Sequence, residues 1–165
     1  LADSHVDDVC DERPPGQIDN LDQQPFRALL GDLDSLMMAH VVYPDVDQQP
    51  AGYSGIWIRD ILRRKMGYRG VVLSDDLGMH AAGFAGKLPD RLRLSLEAGC
   101  DAVLVCKPED VDALYSGLGD AGEADSGIHD RLHGRSMHTA EEVASVKEWR
   151  HWQSSLELLE KSQWA

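Results

Sequence analysis

Asp75 and Asp76 follow Val71-Val72-Leu73-Ser74 without a break, and Leu77-Gly78-Met79 comes directly after them. A short apolar run of this kind reads as a buried parallel strand. In α/β proteins the chemistry gathers at the carboxyl ends of such strands. One carboxylate there can serve as nucleophile or general base. Two adjacent ones can also hold a divalent cation or accept a phosphoryl group. An Asp that merely caps a turn occupies the same kind of position. A second pair is Asp3 and His5, with Ser4 between them. A carboxylate beside an imidazole fixes its tautomer and makes a usable general acid/base, although Asp-x-His is also common in surface loops. His40 stands inside an apolar run, as either a hydrogen-bonded core histidine or a substrate contact. The other histidines share no ligand spacing, and Cys106 has no activating neighbour. No phosphate-binding loop, dinucleotide fingerprint or Gly-x-Ser-x-Gly elbow is present.

The elements that must carry these residues are legible in outline. Residues 1–25 are acidic and loop-like, punctuated by Pro14-Pro15-Gly16. Asp22 to Leu30 fits a short helix, and Leu36 to Tyr43 a strand closed by Pro44. Residues 44–53 read as a loop. Ser54 is a good N-cap for a helix to Met66, with Ile58, Ile61, Leu62 and Met66 on one face and Gly67 as its stop. Strand 70–74 follows, then a helix from Pro89 to Ala98, a strand from Ala102 to Cys106, and a helix from Pro108 to Leu118. This is the βα alternation of a parallel α/β fold, which an open doubly wound sheet and a barrel share. Residues 119–136 are rich in Gly and Asp and read as a loop. Residues 137–165 form a terminal amphipathic helix. It opens on the capping box Thr139 to Glu142 and is expected to pack its apolar stripe (Val143, Val146, Trp149, Trp152, Leu156, Leu159) against the domain.

The chain has 165 residues and a formal charge of −13, with 29 acidic against 16 basic side chains. No basic field exists to hold nucleic acid or an anionic membrane. No apolar stretch is long enough to span a bilayer, and no basic-then-apolar leader opens the chain. The three cysteines, Cys10, Cys100 and Cys106, are an odd number without metal spacing, and the last two are expected to be buried. That pattern fits a reducing cytoplasm. The absence of an initiator Met places the start of the chain, as an expectation, inside something longer.

Several segments then occur in order: Ala2-Asp-Ser-His5, Pro25-Phe-Arg-Ala-Leu-Leu30, Met38-Ala-His-Val-Val-Tyr-Pro44 and Pro50-Ala-Gly-Tyr-Ser54. Trp57-Ile-Arg-Asp-Ile-Leu-Arg63, Gly70-Val-Val-Leu-Ser-Asp-Asp-Leu-Gly-Met79 and Ala98-Gly-Cys-Asp-Ala-Val-Leu-Val-Cys106 follow. Together they resemble the bacterial β-N-acetylhexosaminidases of glycoside hydrolase family 3, of the peptidoglycan-recycling type, over roughly residues 1–118. The resemblance implies an α/β fold that is the C-terminal portion of a TIM-type (β/α)8 barrel, incomplete in this chain. It implies a retaining glycosidase with Asp75 as nucleophile, His5 as general acid/base and Asp3 as its dyad partner. His40 and Met79 become candidate sugar contacts. No metal and no organic cofactor is implied.

The implied substrate is a glycan ending in β-linked N-acetylglucosamine, cleaved in the cytoplasm. The family's earlier strands carry Lys, His, Asp and Arg residues that hold the sugar, and these lie before the segments present here. A full barrel needs about 250 residues. An incomplete one is expected to expose strand edges and to be weakly active or inactive alone. Its partner would be the missing N-terminal half-barrel. The alternative reading is a non-catalytic half-barrel remnant or partner-binding fragment.

Overall fold

Val71 to Asp76 combine β-branched residues with burial, and they form the middle strand of a three-stranded parallel sheet in the computed structural model. Residues 3–118, 126–134 and 139–163 are described. They fall into two units, one ending at Leu132 and one beginning at His133. The first contains β1 (Val9–Cys10), α1 (Pro15–Asn20), α2 (Gln23–Leu29), β2 (Ser35–Met38), β3 (Val41–Tyr43) and β4 (Asp47–Pro50). A π-helix (Ile56–Lys65), β5 (Val71–Asp76), α3 (Leu88–Ala98), β6 (Ala102–Leu104), α4 (Pro108–Leu118) and α5 (Ser126–Leu132) follow. Short 3-10 turns at Ala51–Tyr53 and Ala81–Ala85 flank the π-helix and β5.

The main sheet has the order β2-β5-β6, all parallel, with Met38 opposite Ser74 and Leu104 opposite Asp76. Helical crossovers between these strands are the expected βα alternation. Among the described residues β2 and β6 each pair on one side only. A second sheet, β1-β3-β4, pairs β1 parallel to β3 and β3 antiparallel to β4. The core fills the space between the main sheet and the helices over it. Val72 and Ile58 are fully buried there, and Leu62, Tyr68, Ala98 and Cys100 pack around them; Val71, whose side chain points to the other face of β5, is fully buried too.

Local chemistry sets the boundaries. Ser54 Oγ accepts the Trp57 amide at 3.2 Å, which caps the π-helix as its sequence position suggested. The same hydroxyl donates to Asp47 Oδ2 at 2.5 Å and so ties the helix start to β4. Gly99 ends α3 in the left-handed region, φ 116°, with the Gly99 and Cys100 amides returning to Ser95. A residue with a Cβ resists that conformation.

Several expectations change. The apolar run Leu36 to Tyr43 is two strands, not one. The chain leaves the main sheet at Met38 and enters the second sheet at Val41, because the Ala39 carbonyl is taken by the Gly52 amide at 3.1 Å. The loop expected over residues 1–25 contains β1 and α1, with Pro15 at the first helical position, where its missing N–H costs nothing. Residues 44–53 hold β4 and a 3-10 turn. Asp75 and Asp76 are the last two residues of β5 and not its sequel. Cys106 is exposed, since β6 ends at Leu104; Cys100 is buried as expected, and all three thiols are free.

Within 119–136, residues 126–132 are helical. Ile128 and Leu132 fall one turn apart and α5 lies against β5, which stabilises a helix too short to persist alone. Residues 119–125 and 135–138 lie outside the described residues.

In the second unit the capping box is present: Glu142 N donates to Thr139 Oγ1 at 3.1 Å and Thr139 N to Glu142 Oε2 at 2.7 Å. The single terminal helix is two, α6 (Ala140–Ser145) and α7 (Lys147–Gln163), divided at Val146 with ψ 130°. Ser145 Oγ donates back to the Glu142 carbonyl at 2.7 Å, a local bond that competes with helix continuation. Val143, Val146, Trp149 and Trp152 line an apolar hollow within this unit.

Candidate active site

The two members of the acid pair have different surroundings. Asp76 Oδ1 accepts the backbone amides of Gly78 and Cys106, each at 3.0 Å. One carboxylate thus fastens the turn after β5 to the chain leaving β6, just where the β5–β6 ladder becomes irregular. Two further bonds repair that stretch: Leu104 N donates to Ser74 Oγ at 3.1 Å, and Leu77 N to the Leu104 carbonyl at 2.9 Å. Asp75 Oδ1 accepts only the adjacent Asp76 amide, at 2.8 Å. Its second oxygen enters no hydrogen bond among the described residues. Asp76 is held by two backbone amides from different segments and Asp75 only by its neighbour's, so Asp75 is the less encumbered of the pair.

Asp3 and His5 form the expected dyad. His5 Nδ1 and Asp3 Oδ1 are 2.9 Å apart, and the His5 amide donates to the same oxygen at 3.0 Å. The amide bond and then the imidazole contact hold the Asp3 carboxyl below its ordinary value. With Nδ1–H directed at a carboxylate, Nε2 is the nitrogen left for chemistry. Asp3 begins a tight turn, its carbonyl accepting from Val6 N and Asp7 N at 3.0 and 2.8 Å.

Ser4, between the two dyad members, accepts the Ala81 amide on its carbonyl at 3.2 Å. Ala81 lies in the 3-10 turn that follows β5. The dyad loop is therefore tied to the loop that leaves the acid pair. Arg91 of α3 braces that loop, donating to the carbonyls of Leu77 and Gly86 at 2.7 Å each. Tyr53 Oη adds a bond to the Ala82 carbonyl at 2.9 Å.

His40 and Met79 are both buried, at 1% and 7% exposure. Met79 borders an open hollow with Asp8, His80, Gly83, Phe84 and Arg91. His40 lines a smaller hollow of about 100 Å³ with Asp8, Val9, Val42, Pro50, Ala81 and Phe84. Burial pushes its imidazole toward the neutral form, opposed first by the Asp75 carboxylate. Among the described residues no group of three or more His, Cys, Asp or Glu gathers as a metal site, and no helix is long and apolar enough to cross a membrane.

Local reading of the sequence pointed to Asp3, His5 and the pair Asp75 and Asp76, and the family resemblance to Asp75 of that pair, but neither pointed to Ser4, Ala81 or Arg91. Their contributions are backbone or carbonyl contacts across the fold, for which residue type carries no signal.

The Glycosyl hydrolase family 3 N terminal domain matches residues 1–133. The Beta-hexosaminidase of Stenotrophomonas maltophilia is 47% identical over 142 residues, covering 85% of this chain and 38% of that protein. The Beta-hexosaminidase of Thiobacillus denitrificans is 45% identical over 141 residues, 84% of this chain and 39% of its own length. Among solved structures, NagZ from Neisseria gonorrhoeae in complex with N-trifluoroacetyl-D-glucosamine superposes with a TM-score of 0.73 at 37% identity, over 92% of this chain and 44% of that one. CbsA from Thermotoga neapolitana gives a TM-score of 0.67 at 30% identity, over 79% and 31%. The chain thus spans about two fifths of the length of the curated relatives it matches.

Proposed function

The chain belongs to glycosyl hydrolase family 3, and from that membership we propose that it carries the reacting residues of a retaining β-N-acetylhexosaminidase. The observation that carries this reading is the Ser4–Ala81 hydrogen bond, which ties the Asp3–His5 turn to the loop following Asp75. Asp75 is the nucleophile and His5 the general acid/base, with Asp3 orienting its ring. Most glycosidases use a second carboxylate in the place this reading gives to His5.

In the first step an Asp75 oxygen forms a bond to the anomeric carbon. The bond to the leaving oxygen breaks, and His5 Nε2–H gives that oxygen its proton. The carboxylate also stabilises the positive charge developing at the carbon. In the second step His5 Nε2 takes a proton from water, the resulting hydroxide attacks the anomeric carbon, and the ester to Asp75 breaks.

The substrate in this reading is a glycan ending in β-linked N-acetylglucosamine, of the kind released in cytoplasmic peptidoglycan recycling. The relatives' printed name, Beta-hexosaminidase, supports the sugar class. The parallel order β2-β5-β6 is compatible with part of a (β/α)8 barrel. The test is release of p-nitrophenol from p-nitrophenyl N-acetyl-β-glucosaminide, for the chain alone and with the preceding part of a family relative added. The expected result is little release alone, a clear gain on addition, and loss of that gain in Asp75→Ala. Gain that survives Asp75→Ala overturns the assignment.

A second reading, a non-catalytic fragment that binds a partner chain, is favoured by the one-sided pairing of β2 and β6 and by Met37 on β2, which is 49% exposed. Under it the same mixture forms a complex on a sizing column and releases no p-nitrophenol.

A further inference from the structure

His40 is buried with its hydrogen-bonding capacity unmet. Its side chain is 1% exposed, and neither Nδ1 nor Nε2 has a hydrogen-bond partner. Leaving a buried polar group unsatisfied is unfavourable, and an aromatic ring of similar size would fill the same volume without that cost. A polar ring kept in such a place points to a ligand that completes its bonding.

The ring forms one wall of the hollow of about 100 Å³. The floor of this hollow is closed and its rim is open. His40, Pro50 and Ala81 are buried, whereas Phe84 is 57% exposed and the Asp8 side chain 85%. Val9 and Val42 complete the apolar sides. The space takes one small substituent, or about three waters at ~30 Å³ each, and is too small for a sugar ring. The Tyr53 ring packs on His40 at a centroid distance of 5.4 Å, and Gly52 lies on the Nδ1 side, where a Cβ would stand 3.4 Å away. The imidazole is therefore held in place before a ligand arrives, which limits the ordering cost of binding.

Three segments meet around the hollow. Asp8 and Val9 continue the chain from the Asp3–His5 turn. Ala81 lies in the turn after β5 and donates its amide to the Ser4 carbonyl. His40 stands two residues past the end of β2. In an N-acetylglucosaminide the acetamido group is on the carbon next to the anomeric carbon. A recess for it has to lie beside both the acid/base turn and the segment leaving the nucleophile's strand, and this hollow does. Its walls suit the group as well. Val9, Val42 and Ala81 present apolar surface to a methyl, and a neutral imidazole carries one N–H for a carbonyl oxygen. Asp8 at the rim disfavours an anionic substituent.

We propose that this hollow is the recess for the substrate's 2-acetamido group, with a His40 ring N–H donating to the acetamido oxygen and the methyl seated against Val9, Val42 and Ala81. The proposal rests on the hexosaminidase reading and names the residue by which that site tells an N-acetylated sugar from a plain one. A sugar with a hydroxyl at the same carbon leaves the buried ring unpaired, and a site built on a buried polar group rejects such an analogue.

The test is nuclear magnetic resonance on the full chain, alone and in the mixture described above, with N-acetyl-D-glucosamine and D-glucose as probes. Magnetisation from the acetyl methyl should reach protons of His40, Val9 and Val42. N-acetyl-D-glucosamine should bind about tenfold more tightly than D-glucose, and His40→Phe should reduce that ratio to about twofold without changing the affinity for D-glucose. Equal affinity for the two sugars in the wild type overturns the proposal, and so does an acetyl methyl that reaches other residues or none. Full discrimination in folded His40→Phe overturns the role of His40. Should His40→Phe not fold, the wild-type ring nitrogen resonances of His40 decide. They should shift with N-acetyl-D-glucosamine and stay in place with D-glucose, and the same response to both sugars overturns the proposal.

Release of p-nitrophenol in the same mixture separates this claim from the reading it rests on. Methyl contacts at His40 without release count against the catalytic reading alone. Release that is lost in Asp75→Ala, without methyl contacts at His40, counts against the recess alone.

Discussion

Asp76 and Cys106, thirty residues apart, are joined by a hydrogen bond from the Cys106 amide to Asp76 Oδ1 at 3.0 Å. The bond crosses from the carboxyl end of β5 to the segment after β6, and the same oxygen also accepts Gly78 N. It engages one acid of the pair and leaves the other less encumbered. Asp76→Ala removes both bonds and should lower the unfolding free energy by about 2 kcal/mol, since hydrogen bonds to charged groups are worth more than neutral ones. Asp76→Asn keeps an oxygen acceptor and should cost less. Urea unfolding of the two variants checks the order.

The cysteines should separate by reactivity. Cys10 and Cys106 are exposed, while Cys100 is buried and its thiol is pushed up to about 12 by that burial. A thiol-specific chromogenic disulfide should react with two thiols in the native chain and with the third only on unfolding. The Cys106 thiol is pushed up by partial desolvation and then by the Asp76 carboxylate. Asp76→Asn should therefore speed its reaction.

The Asp3–His5 contact should show in acid titration. The Asp3 carboxyl is held below its ordinary value of 3.8 by the His5 amide and imidazole. A depressed folded value means that the contact contributes above the ordinary value and is lost as pH falls through the lowered one. The Asp3 carboxyl carbon resonance should titrate below 3.8 in the wild type. In His5→Ala the backbone bond can persist, so the resonance should move only part of the way back.

Gly70 stands where no side chain fits. A Cβ there would run into the Tyr68 hydroxyl and come within 2.6 Å of the Asp34 carbonyl oxygen. Tyr68 is 1% exposed and its hydroxyl donates to Leu33 O at 3.2 Å, so it cannot step aside freely. Gly70→Ala should destabilise by about 1–3 kcal/mol, read as a lower thermal midpoint. Gly16→Ala, with nothing within 4 Å and at a helical position of α1, is the control expected to keep the midpoint or raise it.

β5, α3 and α4 could be read from the chain because each carries its own signal: an apolar β-branched run, or a helix framed by Pro and Gly. β4 could not, since Asp47-Gln48-Gln49-Pro50 has no apolar alternation and is a strand only by pairing with β3. The split of the run from Leu36 to Tyr43 was equally hidden, because both halves are apolar and the divergence is caused by Gly52, a dozen residues later. In the site, residue type and order pointed to Asp3, His5 and Asp75. The structural difference between Asp75 and Asp76 comes from a backbone amide thirty residues away, which no local pattern encodes.

The bond between Ser4 and Ala81 also bears on how this chemistry could be lost or moved. The dyad loop and the loop leaving β5 are fastened by this bond, with His80 Nε2 3.8 Å from Asp8 Oδ1 beside it, so a displacement of either is transmitted to the other. An insertion anywhere between Asp75 and Ala81 would shift the anchor by its own length and carry the imidazole out of alignment, while every reacting residue remained in the sequence. The stretch from Asp75 to Ala81 thus behaves as a ruler, whose length matters more than the identity of most residues along it.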